Sequence, residues 1–453
     1  MTDGDKKPED QENPSRKNKG SKKSKKSSSL KTALKTLGPG LVTGASDDDP
    51  SGIATYSQAG ASFGLGMLWM ALFQYPLMTI VQEMCARVGF VTGRGLASVI
   101  KRKYSKIVVL PIASLLLIAN TINIGADIGA MGASVKLIFP ELPMVLSTIL
   151  FTAVILAAEI FVPYTNYVKI LKYLTLSLFG YFATAMIVGG DLTQIFIASI
   201  YPHIEFTPAF AMMFVAIFGT TISPYLFFWQ ASAEAEEEVA KNKIKDINVG
   251  KPKVTKPEIK IMKTDVAIGM FFSQFIMWSI ILTTAGTLHS NGITQIQTSE
   301  QVAKALEPLV KSFPYAGQIS KVMFALGIIG TGLLAVPVLA GASAYALSDT
   351  FGWEQGLKKK FKQAKAFYLV IAVSTIIGLW INFSNIDPIR ALVYSAVING
   401  VIAVPILYTI MKIANDKKIL GNKINGRISN VIGWITVAIM GSGVVIMFVA
   451  WGK

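Results

Sequence analysis

Residues 47–49 are three consecutive aspartates, Asp47, Asp48 and Asp49, set inside an apolar stretch that runs from 37 to 64 and is long enough to cross a membrane. Unpaired carboxylates are costly in hydrocarbon, so ionisable residues within a spanning segment mark a binding site or a pathway. Pro50 follows at once and disfavours helix at Asp49; with the permissive Gly52 two residues later, the spanning helix is expected to break here. A break at membrane depth has to line a polar cavity or be buried in protein. Freed carbonyls beside carboxylates are oxygen ligands of the kind hard cations take, so the first expectation is a metal-ion site.

The rest of the chain supports an all-α polytopic membrane protein. Of 453 residues, 52% are hydrophobic and 15% charged, with a mean hydropathy of +0.50. Spanning segments are expected near 37–62, 66–88, 107–135, 143–162, 169–189, 208–233, 264–287, 318–347, 366–382, 388–411 and 428–450, eleven in all. Residues 1–36 are rich in Lys, Ser, Asp and Glu, lack the apolar core of a cleavable signal, and read as a disordered basic tail. Cys85 is the single cysteine, so no internal disulfide is expected.

The net charge of +16 raises the question of nucleic acid. With the N-terminus cytoplasmic, however, 37 of the 43 basic residues fall in the tail and in the loops on its side. That is the positive-inside pattern: the excess encodes topology, with anionic lipid a further partner, and no nucleic-acid partner is expected. The expected location is the cell membrane, multi-pass, with the C-terminus extracellular, and a monomer is the expected state.

The sixth segment repeats the anomaly of the first. It is apolar from Pro208, passes through Gly219, Thr220, Thr221, Ile222, Ser223 and Pro224, and resumes with Tyr225. A second Pro-interrupted helix five spans after the first is the signature of two inverted five-helix repeats with the site at the paired breaks. The repeats are placed at 37–189 and 208–413, joined by an extracellular loop at 190–207 and followed by 414–453 with the last span.

Both histidines, His203 and His289, fall in outer loops, so no intramembrane imidazole is available to relay protons. No phosphate-cradling Walker loop is present and no His stands by a Ser or Cys nucleophile; the chain is not expected to be an enzyme, and no cofactor is implied.

These motifs resemble the natural resistance-associated macrophage protein (NRAMP) family of divalent metal transporters, which have the LeuT-type fold. The Asp-Pro-Gly-Asn of that family's first helix, followed by Gln-Ala-Gly-Ala, is matched by Asp49, Pro50, Ser51 and Gly52 and then Gln58, Ala59, Gly60 and Ala61. Residues 86–93, Ala-Arg-Val-Gly-Phe-Val-Thr-Gly, are similar to its second helix and loop, and Gly125, Ala126 and Asp127 to the Ala-Thr-Asp of its third. The resemblance implies Asp49 as the charged ligand, the carbonyls of Ser46 and Thr220 at the half-helix ends, and Ser223 and Tyr225 where the family's sixth helix reads Met-Pro-His. It implies a place for Asp127 on the inner path. Asp47 and Asp48 have no counterpart; lining the path and pairing with a neighbour both stay open.

The departures bear on chemistry. Gly52 stands where the family has a metal-binding Asn, and Ser223 where it has Met. Loss of the soft thioether removes the group that favours transition metals over Mg²⁺, and a roomier all-oxygen site suits an ion that keeps some of its water. The sequence is most similar to the NRAMP-related magnesium transporters, implying Mg²⁺ uptake with Mn²⁺ also carried. Acids and histidines linked to proton movement in the family fall at Ala130, Tyr225 and Gln230, so transport without obligatory proton coupling is expected. The alternatives are a proton-coupled Mn²⁺/Fe²⁺ carrier of the same family, a sodium-coupled amino-acid carrier of the same fold, and a metal-sensing scaffold. Among the remaining polar residues, Glu234, Glu236, Glu237 and Glu238 read as a solvated face paired with the lysines of 241–263, with attraction of cations toward the exit as their other role and Glu234 a pathway candidate. Glu83 and Glu159 are expected at wetted inner helix ends, and Asn399 is a candidate for the cavity.

Overall fold

The computed structural model describes residues 38–162, 178–188, 190–383 and 386–451. The expected basic tail and residues 169–177 of the expected fifth span lie outside the described residues. The helices are α1 (Pro39–Asp47), α2 (Pro50–Phe63), α3 (Trp69–Thr92), α4 (Leu96–Ile138), α5 (Met144–Phe161), α6 (Phe179–Val188), α7 (Leu192–Ile200), α8 (Pro208–Thr221), α9 (Pro224–Ala240) and α10 (Lys256–Thr287). They continue with α11 (Ser299–Lys304), α12 (Glu307–Val310), α13 (Ala316–Phe351), α14 (Lys365–Ile381), α15 (Pro388–Ala414), α16 (Lys417–Leu420) and α17 (Arg427–Trp451).

Every expected span overlaps a helix, but the count of eleven is only partly carried. Among the described residues seven spans are long and apolar enough to cross a membrane, eight with the α2–α3 pair, which is bent by 106°. Helices α6 and α14, at 10 and 17 residues, are shorter. The expected third span lies within α4, whose first turns form a separate helix ended at Ser105, where φ is 70°.

The two expected interruptions are present and share one geometry. Helix α1 ends at Asp48 (φ −84°, ψ 51°) and Asp49 is extended (φ −69°, ψ 172°) before Pro50 opens α2. Helix α8 ends at Ile222 (φ −108°, ψ 58°) and Ser223 is extended (φ −79°, ψ 136°) before Pro224 opens α9. In each case proline pushes the residue before it out of the helical region and then occupies the first helical position, where its missing N–H is not needed. Gly52 is helical inside α2, so Asp48, Asp49 and Pro50, not this glycine, make the first break.

Close backbone approach fixes the half-helices to their neighbours. A Cβ added to Gly44 of α1 would strike the backbone of Gly269 in α10, and one added to Gly219 of α8 would strike the Ala396 carbonyl of α15. Small residues that let helix backbones touch are the usual association device where lipid supplies no hydrophobic drive. Gly219→Val is therefore expected to destabilise the fold by about 3 kcal/mol. Gly441→Ala, whose new Cβ would meet only Val404 Cγ1 at 3.7 Å, should be silent. Thermal stability of the detergent-solubilised protein, followed by size exclusion, compares the two.

Candidate functional site at the paired helix breaks

Asp49 caps α2: one carboxylate oxygen accepts the Gly52 backbone N–H at 2.8 Å and the Ser51 hydroxyl, replacing intrahelical bonds the first turn lacks. Its other oxygen accepts the side-chain amide of Asn123, on α4, at 3.0 Å. The Ser395 hydroxyl, on α15, lies 2.6 Å from the Asn123 oxygen and 2.7 Å from the Leu392 carbonyl. The carboxylate is thus held from α2 and α4, with Asn123 in turn held from α15, and Asp49, Asn123 and Ser395 are all buried.

Asp47 and Asp48 turn the other way. The Ser273 hydroxyl of α10 donates to Asp47, with Asp48 3.4 Å from the same hydroxyl. Both carboxylates thus have the Ser273 hydroxyl as a neighbour. Asp47 and Asp48 face Ser273 while Asp49 faces Asn123 and Ser51, and among the described residues no group of three acids, cysteines or histidines converges as a cation cage.

Hydroxyl groups tie the two breaks together. Tyr225 donates to the Ser46 carbonyl at 2.9 Å, and Ser51 Oγ lies 3.3 Å from Thr220 Oγ1. Ser223 donates back to the Gly219 carbonyl and lies 3.1 Å from that of Thr220. A Cβ at Gly52 would sit 3.3 Å from the Asp47 carbonyl and 3.4 Å from Thr220 Oγ1, so this glycine also faces the break. Ser46, Gly52, Thr220, Ser223 and Tyr225 are therefore gathered with Asp49 in one buried place. A hydroxyl that donates its proton to a carbonyl keeps its own lone pairs, so this donor set is carboxylate, carbonyl and hydroxyl oxygen, suited to a hard cation.

Asp127 lies one turn beyond Asn123 on the same face of α4; it is fully buried and neither of its oxygens has a hydrogen-bond partner among the described residues. Asn399, one turn beyond Ser395, is buried with its amide likewise unpartnered among the described residues. Glu234 stands about 13 Å along α9 from Tyr225, buried and bonded by Gln230 at 3.0 Å.

The solvated acidic face expected on α9 is not there. Glu238 is buried against Lys243 at 3.0 Å, and Glu236 accepts the Tyr345 hydroxyl at 2.6 Å and the Leu357 N–H at 2.7 Å; Glu237, 3.5 Å from Lys241, alone keeps the expected surface pairing. The physical reason is that Lys243 of the loop after α9 reaches Glu238, while Tyr345 of α13 and Leu357 of the loop after it supply donors to Glu236. Glu83, expected to be wetted, is buried between Arg87 at 3.1 Å and Lys263 at 3.2 Å. Glu159 is half-buried.

Asn123, Ser395 and Ser273 were not singled out in the sequence, although a polar residue in an apolar helix is a usable signal. With Asn123→Leu, Asp49 loses a buried donor and its fixed orientation. A hydrogen bond to a charged group contributes about 1.5 kcal/mol or more, so the apparent affinity for a transported ion should fall roughly tenfold. Concentration-dependent uptake into proteoliposomes reads this directly; an unchanged half-saturation value removes Asn123 from the site.

Comparison with known proteins agrees with this architecture. The family model for natural resistance-associated macrophage protein-like (Nramp) sequences matches residues 40–450. A divalent metal cation transporter MntH from Klebsiella pneumoniae (strain 342) is 24% identical over 431 residues, covering 90% of this chain and 92% of that one. Among solved structures, the Eremococcus coleocola manganese transporter in complex with an aromatic bis-isothiourea compound matches with a TM-score of 0.72 at 16% identity, covering 93% of this chain and 87% of that one. MhsT in complex with L-phenylalanine matches with a TM-score of 0.62 at 10% identity, covering 92% and 98%. These similarities carry the LeuT-type fold and a multi-pass transporter rather than an enzyme. They do not carry the magnesium branch expected from Gly52 and Ser223, since the metal transporters they name are divalent-metal and manganese proteins. The chain belongs to the natural resistance-associated macrophage protein-like family.

Proposed function

We propose that the chain carries divalent metal ions across a cell membrane by alternating access, binding them at the paired breaks with Asp49 as the charged ligand. The oxygen atoms of Ser46, Thr220, Ser223 and Tyr225 complete the site, Gly52 leaves room beside them, and Asp47, Asp48, Asp127 and Glu234 stand along the route. The observation that carries this reading is the bridging of the two breaks around Asp49, through Tyr225 to the Ser46 carbonyl and Ser51 to Thr220. The topology proposed with it has the N-terminus cytoplasmic, repeats at 37–189 and 208–413, and the C-terminus outside. The amino-acid carrier is disfavoured because a substrate carboxylate would meet three aspartates.

Mn²⁺ is supported by the likeness to the Eremococcus coleocola protein, which is named a manganese transporter. A second reading, Mg²⁺, is favoured by positions 52 and 223, which offer no amide and no thioether, only a hydroxyl already bonded to the Gly219 and Thr220 carbonyls. Uptake of Mn²⁺ into proteoliposomes with added Mg²⁺ separates the two. Competition at submillimolar to millimolar Mg²⁺ supports the oxygen-only site, while Mn²⁺ uptake indifferent to excess Mg²⁺ assigns the transition-metal reading. In the first case the double change Gly52→Asn with Ser223→Met should shift preference toward Mn²⁺. The new Cβ at position 52 would lie 3.2 Å from the Tyr56 ring, close enough that the ring has to give slightly.

A further inference from the structure

A groove of about 390 Å³ opens on the outside of the bundle between Tyr75 of α3 and one stripe of α10: Lys260, Lys263, Thr264, Ala267, Ile268 and Phe271. These positions recur at the three- and four-residue spacing of a single helix face, so they line up along the axis. The stripe changes character along its length. Its first turn carries two ammonium groups and a hydroxyl; the following turns are apolar, with Ile268 41% and Phe271 53% exposed. Tyr75 closes the groove from α3, donating to the Ala267 carbonyl at 3.3 Å and packing edge-on against Phe271 at 6.0 Å between ring centroids.

From this arrangement we infer that the groove binds the phosphate headgroup of an anionic phospholipid at Lys260 and Lys263, with an acyl chain along Ile268 and Phe271. A charged end followed by an exposed apolar end on the same face matches a lipid rather than a soluble anion, which would gain nothing from Ile268 and Phe271. The lysines lie at the end of α10 that the charge distribution places on the basic side of the membrane, where anionic lipid is attracted to Lys and Arg. Lys260 is exposed and forms no ion pair among the described residues, so its charge is available. Lys263 is shared with Glu83 at 3.2 Å and remains about half exposed. Two residues on, Asp265 accepts the N–H of Gly40 at 2.7 Å and of Gly38 at 3.2 Å, the first turn of the half-helix that ends at Asp47. A lipid seated on this turn of α10 therefore bears on the segment that anchors α1.

The test is native mass spectrometry of the full chain in detergent, titrated with phosphatidylglycerol or phosphatidylcholine, with and without millimolar inorganic phosphate. Wild type should retain at least one phosphatidylglycerol more tightly than Lys260→Gln, by roughly fivefold, and than Lys260→Gln with Lys263→Gln, by roughly 25-fold, with phosphatidylcholine unaffected. Because Lys263→Gln also breaks the Glu83 pair, Lys260→Gln alone and Phe271→Ser serve as variants that leave that pair intact; both should weaken retention. Equal retention of phosphatidylglycerol by wild type and Lys260→Gln overturns the site. Complete displacement by inorganic phosphate also overturns it, because the groove would then be a soluble-anion site.

Discussion

Asp49→Asn should yield a folded protein that no longer moves divalent ions. The asparagine keeps an oxygen to accept the Gly52 N–H and the Ser51 hydroxyl, so the cap on α2 survives. The other side of the new amide would present N–H groups to Asn123, which now donates there. Asn123 can turn its amide over, because the Ser395 hydroxyl that serves its oxygen has the Leu392 carbonyl 2.7 Å away as an alternative acceptor. The network therefore absorbs the substitution, and only the charge is lost. A unit charge pair at about 4 Å near a protein surface is worth roughly 4 kcal/mol, more for a divalent ion, so affinity should drop by about a thousandfold or more. Asp49→Ala should abolish transport equally while also costing about 1 kcal/mol through the lost cap. Folding is followed by size exclusion and transport by metal uptake into proteoliposomes. Near-normal uptake by a monodisperse Asp49→Asn protein would move the charged ligand elsewhere, with Asp47 and Asp127 the next to examine.

What could be read in the sequence and what could not divides along the range of the interactions. Pro50 and Pro224 act on their own neighbours, so both breaks were legible, and the matching geometry at Asp48–Asp49 and Ile222–Ser223 follows from a local rule. The role given to Gly52 was wrong for the same reason: its freedom is also local, but the helix restarts at Pro50 before that freedom is needed. Asn123 and Ser395, by contrast, meet Asp49 and each other across 74 and 272 residues of chain, and a lone Asn in an apolar helix carries no spacing that says which face it serves. The bonding of Glu236 was invisible because its donors, Tyr345 and the Leu357 N–H, arrive from α13 and the loop after it. The magnesium expectation rested on two substitutions. The family relationship supports divalent metals at large.

Metal movement through this chain should proceed without obligatory proton movement. Positions that the resemblance links to protons hold Ala130, Tyr225 and Gln230. Alanine and glutamine do not titrate, and a tyrosine does so only near pH 10 in model peptides. In the structure Gln230 is instead committed to Glu234 at 3.0 Å, and the Tyr225 hydroxyl to the Ser46 carbonyl at 2.9 Å. His203 pairs with Glu205 at 3.4 Å and His289 meets the Ala61 carbonyl at 2.8 Å, both outside the spanning helices, so neither imidazole reaches the breaks. The driving force would then be the ion's own gradient with the membrane potential, worth roughly 4.6 kcal/mol per 100 mV for a divalent ion. The measurement uses proteoliposomes loaded with a pH-sensitive dye, a potential set by potassium and valinomycin, and Mn²⁺ or Mg²⁺ added outside. Metal uptake with no change in lumenal pH is the expected result. Metal-dependent acidification, absent from protein-free liposomes, would overturn it and leave Asp127, whose two buried oxygens have no partner among the described residues, as the first residue to mutate. Asp127→Asn should abolish that acidification if Asp127 carries the proton; acidification that survives in Asp127→Asn would pass the task to Asp47 or Asp48.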